Sequence, residues 1–156
     1  LHMMSQPIEQ MLMRNSEDFL IPADIVANVQ EENHLDHAFM VLTKVRYAKI
    51  PVLDHNQKFK GLLSLSMITE EMLGLKGIDA RCLSKKQVKD VMQTEVETIK
   101  PTADCEEILH RLVNQPFLVV VDDDNRFLGI VTRRELLKSM NYLSHEFDNF
   151  YVTEPK

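Results

Sequence analysis

The chain has 156 residues, 44% of them hydrophobic and 27% charged, with a formal net charge of −6. That length suits one compact domain or two small halves sharing a core, able to bury roughly 68–70% of the unfolded surface without help from disulfides. The negative balance excludes general nucleic-acid binding, which draws its affinity from Lys and Arg on phosphates, and no apolar run nears the roughly 18–20 residues of a membrane span.

The opening Leu1-His2-Met3, ahead of a second Met, reads as an expression remnant, and no signal peptide is expected. Residues 5–17 are expected to form a bracing N-terminal helix, with Ile8, Met11 and Leu12 apolar and Ser16 as a helix N-cap. Alternation of Ile25, Ala27 and Val29 predicts a short strand. Leu35, Ala38, Phe39 and Leu42 fall at i, i+3, i+4 and i+7, the stripe of an amphipathic helix. "AKIPVLD" then reads as a buried strand, "HNQK" as a turn and "FKGLLSL" as a second strand, followed by a helix from about Ser66 to Leu73. Residues 75–87 are expected to be a linker, with Ser84 and Gln87 spaced as a capping box.

From there the order starts again. "EVETIKPTADCEEILHRLVNQPFLVVVDDDNRFLGIVTRREL" repeats strand, helix, strand, turn, strand, helix, with Cys105, Ile108, Leu109 and Leu112 as the helical stripe. Asp122 stands 68 residues after Asp54 (122 − 54), as do Phe127 after Phe59, Gly129 after Gly61 and Thr132 after Ser64. Val96 stands 70 after Val26 (96 − 26), so the second copy lacks two residues of an intervening loop. Duplication at this period predicts two halves that each hide an apolar sheet face against the other.

A β-α-β-β-α unit carrying "IPVLD…GLLS" and then "LVVVD…GIVTRRE" resembles the cystathionine-β-synthase (CBS) domain, and two in tandem resemble a Bateman module. The fold expectation is therefore α/β: two pseudo-symmetric βαββα units, CBS domain 1 at 18–74 and CBS domain 2 at 88–142, with a tail at 143–156. The combination "FLIPADIVANVQ…LTKVRYAKIPVLD…VTRRELLK" in a short chain is similar to the stand-alone cyclic di-AMP-binding CBS proteins of Gram-positive bacteria. That resemblance implies a non-enzymatic sensor, homodimeric, which binds cyclic di-AMP between its CBS copies. It also implies a regulated protein partner, such as the synthetase of guanosine tetraphosphate alarmones or a metabolic enzyme. Cys82 and Cys105, too few and too irregularly placed for a disulfide framework or a zinc site, make a reducing cytoplasm the expected compartment. An AMP, ADP or ATP energy sensor is the rival of the same fold, and a nucleotide hydrolase the rival of another class.

The copies differ at the residues after the hydroxyl: Leu65-Ser66-Met67 in the first, Arg133-Arg134-Glu135 in the second. If Thr132 starts a helix, its hydroxyl and the free amides of the first turn suit phosphate. Arg133 and Arg134 add charge there, and guanidinium takes phosphate oxygens in bidentate fashion. Glu135 holds the position where adenosine-binding CBS domains usually carry an acid for the ribose hydroxyls. Thr132-x-x-Glu135 is equally the pattern of a capping box, and the two roles can coexist. The family pairs this helix with the early strand and the "xIPV" strand of the other copy. The implied ligand set is thus Ile25, Val26, Ala27, Tyr47, Ala48, Ile50 and Pro51 with Ile130, Thr132, Arg133, Arg134 and Glu135, and Arg46 and Lys49 as possible phosphate contacts. Tyr47 can stack on a base or pack as core. The converse set of Val96, Glu97, Thr98, Phe117 and Leu118 with Ser64, Ser66 and Met67 has Met in place of the acid and Glu in place of Ala27, which suits scaffold better than a nucleotide.

Other patterns carry less. His34 and His37 are expected at a solvated helix end rather than on a metal. Cys105 on its apolar stripe reads as a packing thiol. No catalytic set, Walker lysine, Gly-rich dinucleotide motif, cofactor or metal site is expected. The nine Met residues are expected in core and dimer packing.

Overall fold

The computed structural model describes residues 9–10, 12–74 and 77–141. Residues 5–8 and 11 of the expected N-terminal helix, 75–76 of the expected linker and the tail at 143–156 lie outside the described residues. In chain order the elements are β1 (Ile21–Pro22), β2 (Val29–Gln30), α1 (Leu35–Lys44), β3 (Lys49–Leu53), β4 (Phe59–Ser64) and α2 (Leu65–Met72). A two-stranded hairpin follows, β5 (Leu73–Gly74) and β6 (Gly77–Ile78), and then β7 (Thr98–Ile99), α3 (Cys105–Leu112), β8 (Phe117–Val121) and β9 (Phe127–Thr132). Residues 133–141 are helical and are called α4. The tandem βαββα order is therefore present twice, as β2-α1-β3-β4-α2 and β7-α3-β8-β9-α4.

Two units divide the chain. The first-repeat unit comprises Ile25–Glu97 with Asp123–Phe127. Its sheet runs β2-β3-β4, with β2 parallel to β3 and β3 antiparallel to β4. A parallel pair needs a crossover, and α1 supplies it. Leu35, Ala38 and Leu42 form the buried stripe of α1, packing with Val29, Ile50, Val52, Leu63 and Ile68. Complete burial of one such aliphatic side chain contributes about 1.5–3 kcal/mol. Leu83 and Val88, from short 3-10 helices at Ala80–Ser84 and Val88–Asp90, belong to the same cluster.

The second-repeat unit gathers the described residues up to Asp24, Thr98–Asp122 and those from Leu128 onward. Its sheet order is β1-β9-β8-β7. Val29 pairs with Val52 in one sheet and Ile99 with Val120 in the other, so the 70- and 68-residue offsets meet in the same register. Ile108, Leu112, Leu118, Val120, Val131 and Leu136 make the core, joined by Phe19 from the N-terminal segment. Among the described residues no helix is long and apolar enough to cross a membrane.

Three local expectations are corrected. Asn15, not Ser16, caps the N-terminal turn: its side chain accepts from Glu17 N, while Asp18 accepts from Asn15 N. Ser16 is buried and its hydroxyl donates to the Lys100 carbonyl at 2.6 Å. The strand expected from Ile25 begins only at Val29, because the chain leaves β1 through a 3-10 turn at Ala23–Ile25 that turns Ile25 71% into solvent. The Ser84 hydroxyl donates back to Arg81 O, and the next turn is closed instead by Gln87 N donating to Asp90.

Candidate functional site

On the second-repeat unit, β9 ends at Thr132 and α4 starts at once. Thr132 Oγ1 accepts from Glu135 N at 3.0 Å, one of the amides that a helix start leaves without an intrahelical partner. The Thr132 half of the expected capping box is thus present. The Glu135 carboxylate lies 3.7 Å from Lys138 Nζ, an exposed pair worth at most about 1 kcal/mol. The two arginines part company. Arg133 donates from Nε to Leu112 O at 2.7 Å and from Nη2 to Val113 O at 3.0 Å, and its backbone amide donates to Pro116 O at 3.1 Å. Arg134 is exposed. Ile130 is buried opposite Ile21, where β1 pairs with β9.

On the first-repeat unit, Val26 is buried, Ala27 half-buried and Ile25 exposed. Asn28 Nδ2 donates to Val26 O at 3.1 Å and holds that turn. Arg46, Tyr47 and Ala48 are all exposed in the irregular segment entering β3. Strand alternation begins at Lys49, whose ammonium donates to Gln93 Oε1 at 2.9 Å. Ile50 points the other way and is fully buried in the core, which leaves it only backbone to offer a ligand. Pro51 is buried beside Leu62 in the strand register.

The equivalent positions of the other set are occupied differently. Ser64 Oγ accepts from Met67 N at 3.2 Å and shares a 2.9 Å hydrogen bond with Ser66. Met67 packs on the core, and Leu118 is itself core. Cys105 is buried, and burial pushes its thiol above the usual range, which suppresses the thiolate. His34 stands before α1 without a side-chain capping bond. Among the described residues no group of three His, Cys, Asp or Glu side chains could hold a metal ion.

Sequence reasoning missed Gln93 as the partner of Lys49, and the carbonyls of Leu112 and Val113 as partners of Arg133. A backbone carbonyl carries no residue-type signal, and Gln93 lies 44 positions from Lys49.

Comparison with known proteins gives the family. The profile of the CBS domain matches residues 88–142. Over 139 residues the chain is 37% identical to cyclic di-AMP receptor B of Bacillus subtilis, a match spanning 89% of this chain and 95% of that protein. The chain belongs to the CBS-domain family of that receptor. Among solved structures it is similar to CbpB in complex with c-di-AMP, at a TM-score of 0.88 and 29% identity over 97% of this chain and 100% of that one. The Listeria monocytogenes CbpB protein in complex with c-di-AMP is 48% identical, with a TM-score of 0.77 over 84% of this chain and 98% of that one.

Proposed function

We propose that this chain is a non-enzymatic cyclic di-AMP receptor that passes its occupancy to a protein partner. The observation that carries the reading is the start of α4, where exposed Arg134 and half-exposed Glu135 follow a Thr132 whose hydroxyl already holds the first turn in place. In this reading Arg134 and the helix-start amides take phosphate, Glu135 accepts from ribose hydroxyls, and Tyr47 with the Val26-Ala27 turn takes adenine. Arg46 adds positive charge from the exposed loop, and Lys49 does so from its bond to Gln93. The likeness to cyclic di-AMP receptor B supports the choice of ligand.

The receptor acts as a homodimer in the cytoplasm. Exposed apolar residues on the helices, Leu109, Leu137 and Met140, and Val113 just after α3 support a second copy as the surface that covers them. Light scattering after size exclusion gives a dimer mass in this reading, and a monomer at micromolar concentration removes it. The regulated partner is a protein such as an alarmone synthetase or a metabolic enzyme.

Calorimetric titration with cyclic di-AMP, AMP, ADP and ATP tests the ligand. Saturable binding of one cyclic di-AMP per chain is expected, with the ligand recovered unchanged by chromatography after overnight incubation. Arg134→Ala should weaken binding by about 1.5–3 kcal/mol, the scale of a charge-assisted hydrogen bond. Preference for AMP or ATP would make the chain an energy sensor, and consumption of the ligand would make it a hydrolase.

A further inference from the structure

Arg133 and Arg134 are adjacent and alike in charge, yet their surroundings differ. Three donors of Arg133, Nε, Nη2 and the backbone N–H, go to three carbonyls, those of Leu112, Val113 and Pro116. These carbonyls belong to the last turn of α3 and the loop that leaves it. The last carbonyls of a helix have no intrahelical donor, and the C-terminal end carries a partial negative charge. A guanidinium is a rigid fork that meets two such oxygens at once. The same residue is the first of α4, directly after Thr132, whose hydroxyl holds the Glu135 amide. Arg133 therefore ties the end of α3 to the start of α4. The equivalent position in the first repeat, 68 earlier, is Leu65, whose side chain has no donors.

We infer that Arg133 is a positioning residue: it touches no ligand, and by clamping the carbonyls of Leu112 and Val113 it holds the α4 start so that Arg134 and Glu135 are preorganised for a phosphate and a ribose. This inference rests on the receptor reading above and divides the labour of the two arginines within it. Two of the five guanidinium N–H donors of Arg133 are held by these carbonyls, which orients its fork toward the end of α3. A clamp on the backbone reduces the ordering that binding would otherwise require.

Two measurements on the full chain, with the variants Arg133→Ala, Arg133→Lys and Arg134→Ala, separate the possibilities. The first needs no ligand: amide hydrogen exchange of Glu135. Arg133→Ala should speed it, Arg133→Lys should restore part of the protection because an ammonium still reaches a carbonyl, and Arg134→Ala should leave it unchanged. The second is cyclic di-AMP affinity at several salt concentrations, well below each variant's melting temperature. Arg133→Ala should weaken binding by roughly three- to tenfold through lost preorganisation, while keeping the wild-type salt dependence. Arg134→Ala should weaken binding and flatten that dependence, because a direct phosphate contact is lost. Unchanged Glu135 exchange in Arg133→Ala overturns the clamp. Unchanged affinity, or a salt dependence flattened as far as in Arg134→Ala, overturns the positioning role. A wild-type chain that binds no cyclic di-AMP removes the receptor reading and this role with it, and is distinguished by showing first in the wild-type titration while the exchange result stands.

Discussion

Phe59 and Phe127, equivalent residues of the two repeats, stack on each other with ring centroids 6.5 Å apart and planes inclined by 28°. Around them the two turns exchange hydrogen bonds: Phe59 N donates to Asn125 O at 3.0 Å, Phe127 N to Gln57 O at 2.9 Å, and the Asn125 side-chain Nδ2 to Phe59 O at 2.8 Å. Gln57 and Asn125 both hold positive φ, 65° and 64°, as tight turns of this kind require. A duplicated sequence has here placed like against like. A double-mutant cycle with Phe59→Leu and Phe127→Leu, followed by urea unfolding, should return a coupling of about 0.5–1.5 kcal/mol. Strict additivity would show that the rings only fill space.

The two repeat glycines should prove intolerant for a shared reason and to different degrees. A Cβ on Gly61 would run into the Gln93 carbonyl, and one on Gly129 into the Ile21 carbonyl. Gly129 also sits at φ 148°, which side chains rarely adopt, whereas no such φ applies to Gly61. Overpacking alone costs about 1–3 kcal/mol, and the backbone conformation adds about 1–3 kcal/mol at Gly129. Denaturant midpoints should therefore fall in the order wild type, Gly61→Ala, Gly129→Ala. A reversed order would show that the clash at position 61 is the harder one to relieve.

Glu135 and Met67 hold equivalent positions, and their variants should separate affinity from stability. Glu135→Gln should lower cyclic di-AMP affinity and move the ligand-free melting curve little, since the amide can still serve a helix start and the Lys138 pair is exposed. Met67→Ala should cost about 1–3 kcal/mol of stability, as Met67 is only partly buried on the core, and leave affinity nearly alone. A stoichiometry of two nucleotides per chain would contradict the division between a binding set and a scaffold set.

Asp79 offers a pH-dependent signature. The Arg81 side chain, hydrogen-bonded to its carboxylate, lowers its pKa from the ordinary 3.8 to about 2. A depressed carboxylate pKa means the folded chain favours the ionised form, so the associated stability is complete above the unfolded value and is lost as pH falls from about 4 through about 2. Carboxyl carbon NMR should show the Asp79 midpoint near 2 in the wild type and closer to the ordinary 3.8 in Arg81→Ala. A midpoint that the substitution does not move would dissociate the shift from Arg81.

Sequence alone determined the duplicated βαββα order and the charged start of α4. The order follows from periodicity, because alternate apolar positions in a strand and an i, i+3, i+4 stripe in a helix record which local face is buried, and the charge follows from residue type. The same reasoning stopped where chain connectivity takes over. Ile21 pairs with Ile130 of the second repeat, and Gln93 with Leu62 of the first, so each sheet is joined by a segment that lies ahead of the other copy's βαββα run. No local pattern records that exchange. Ile25, read as a strand residue, proved exposed, because its neighbours are placed by the turn after Pro22. Most consequentially, "TRRE" gives both arginines one chemical description. Only tertiary structure decided that Arg133, exposed like Arg134, meets the carbonyls of a helix end some twenty residues earlier. A side chain's type sets which bonds it can make, and the fold sets which partners stand within about 3 Å of it.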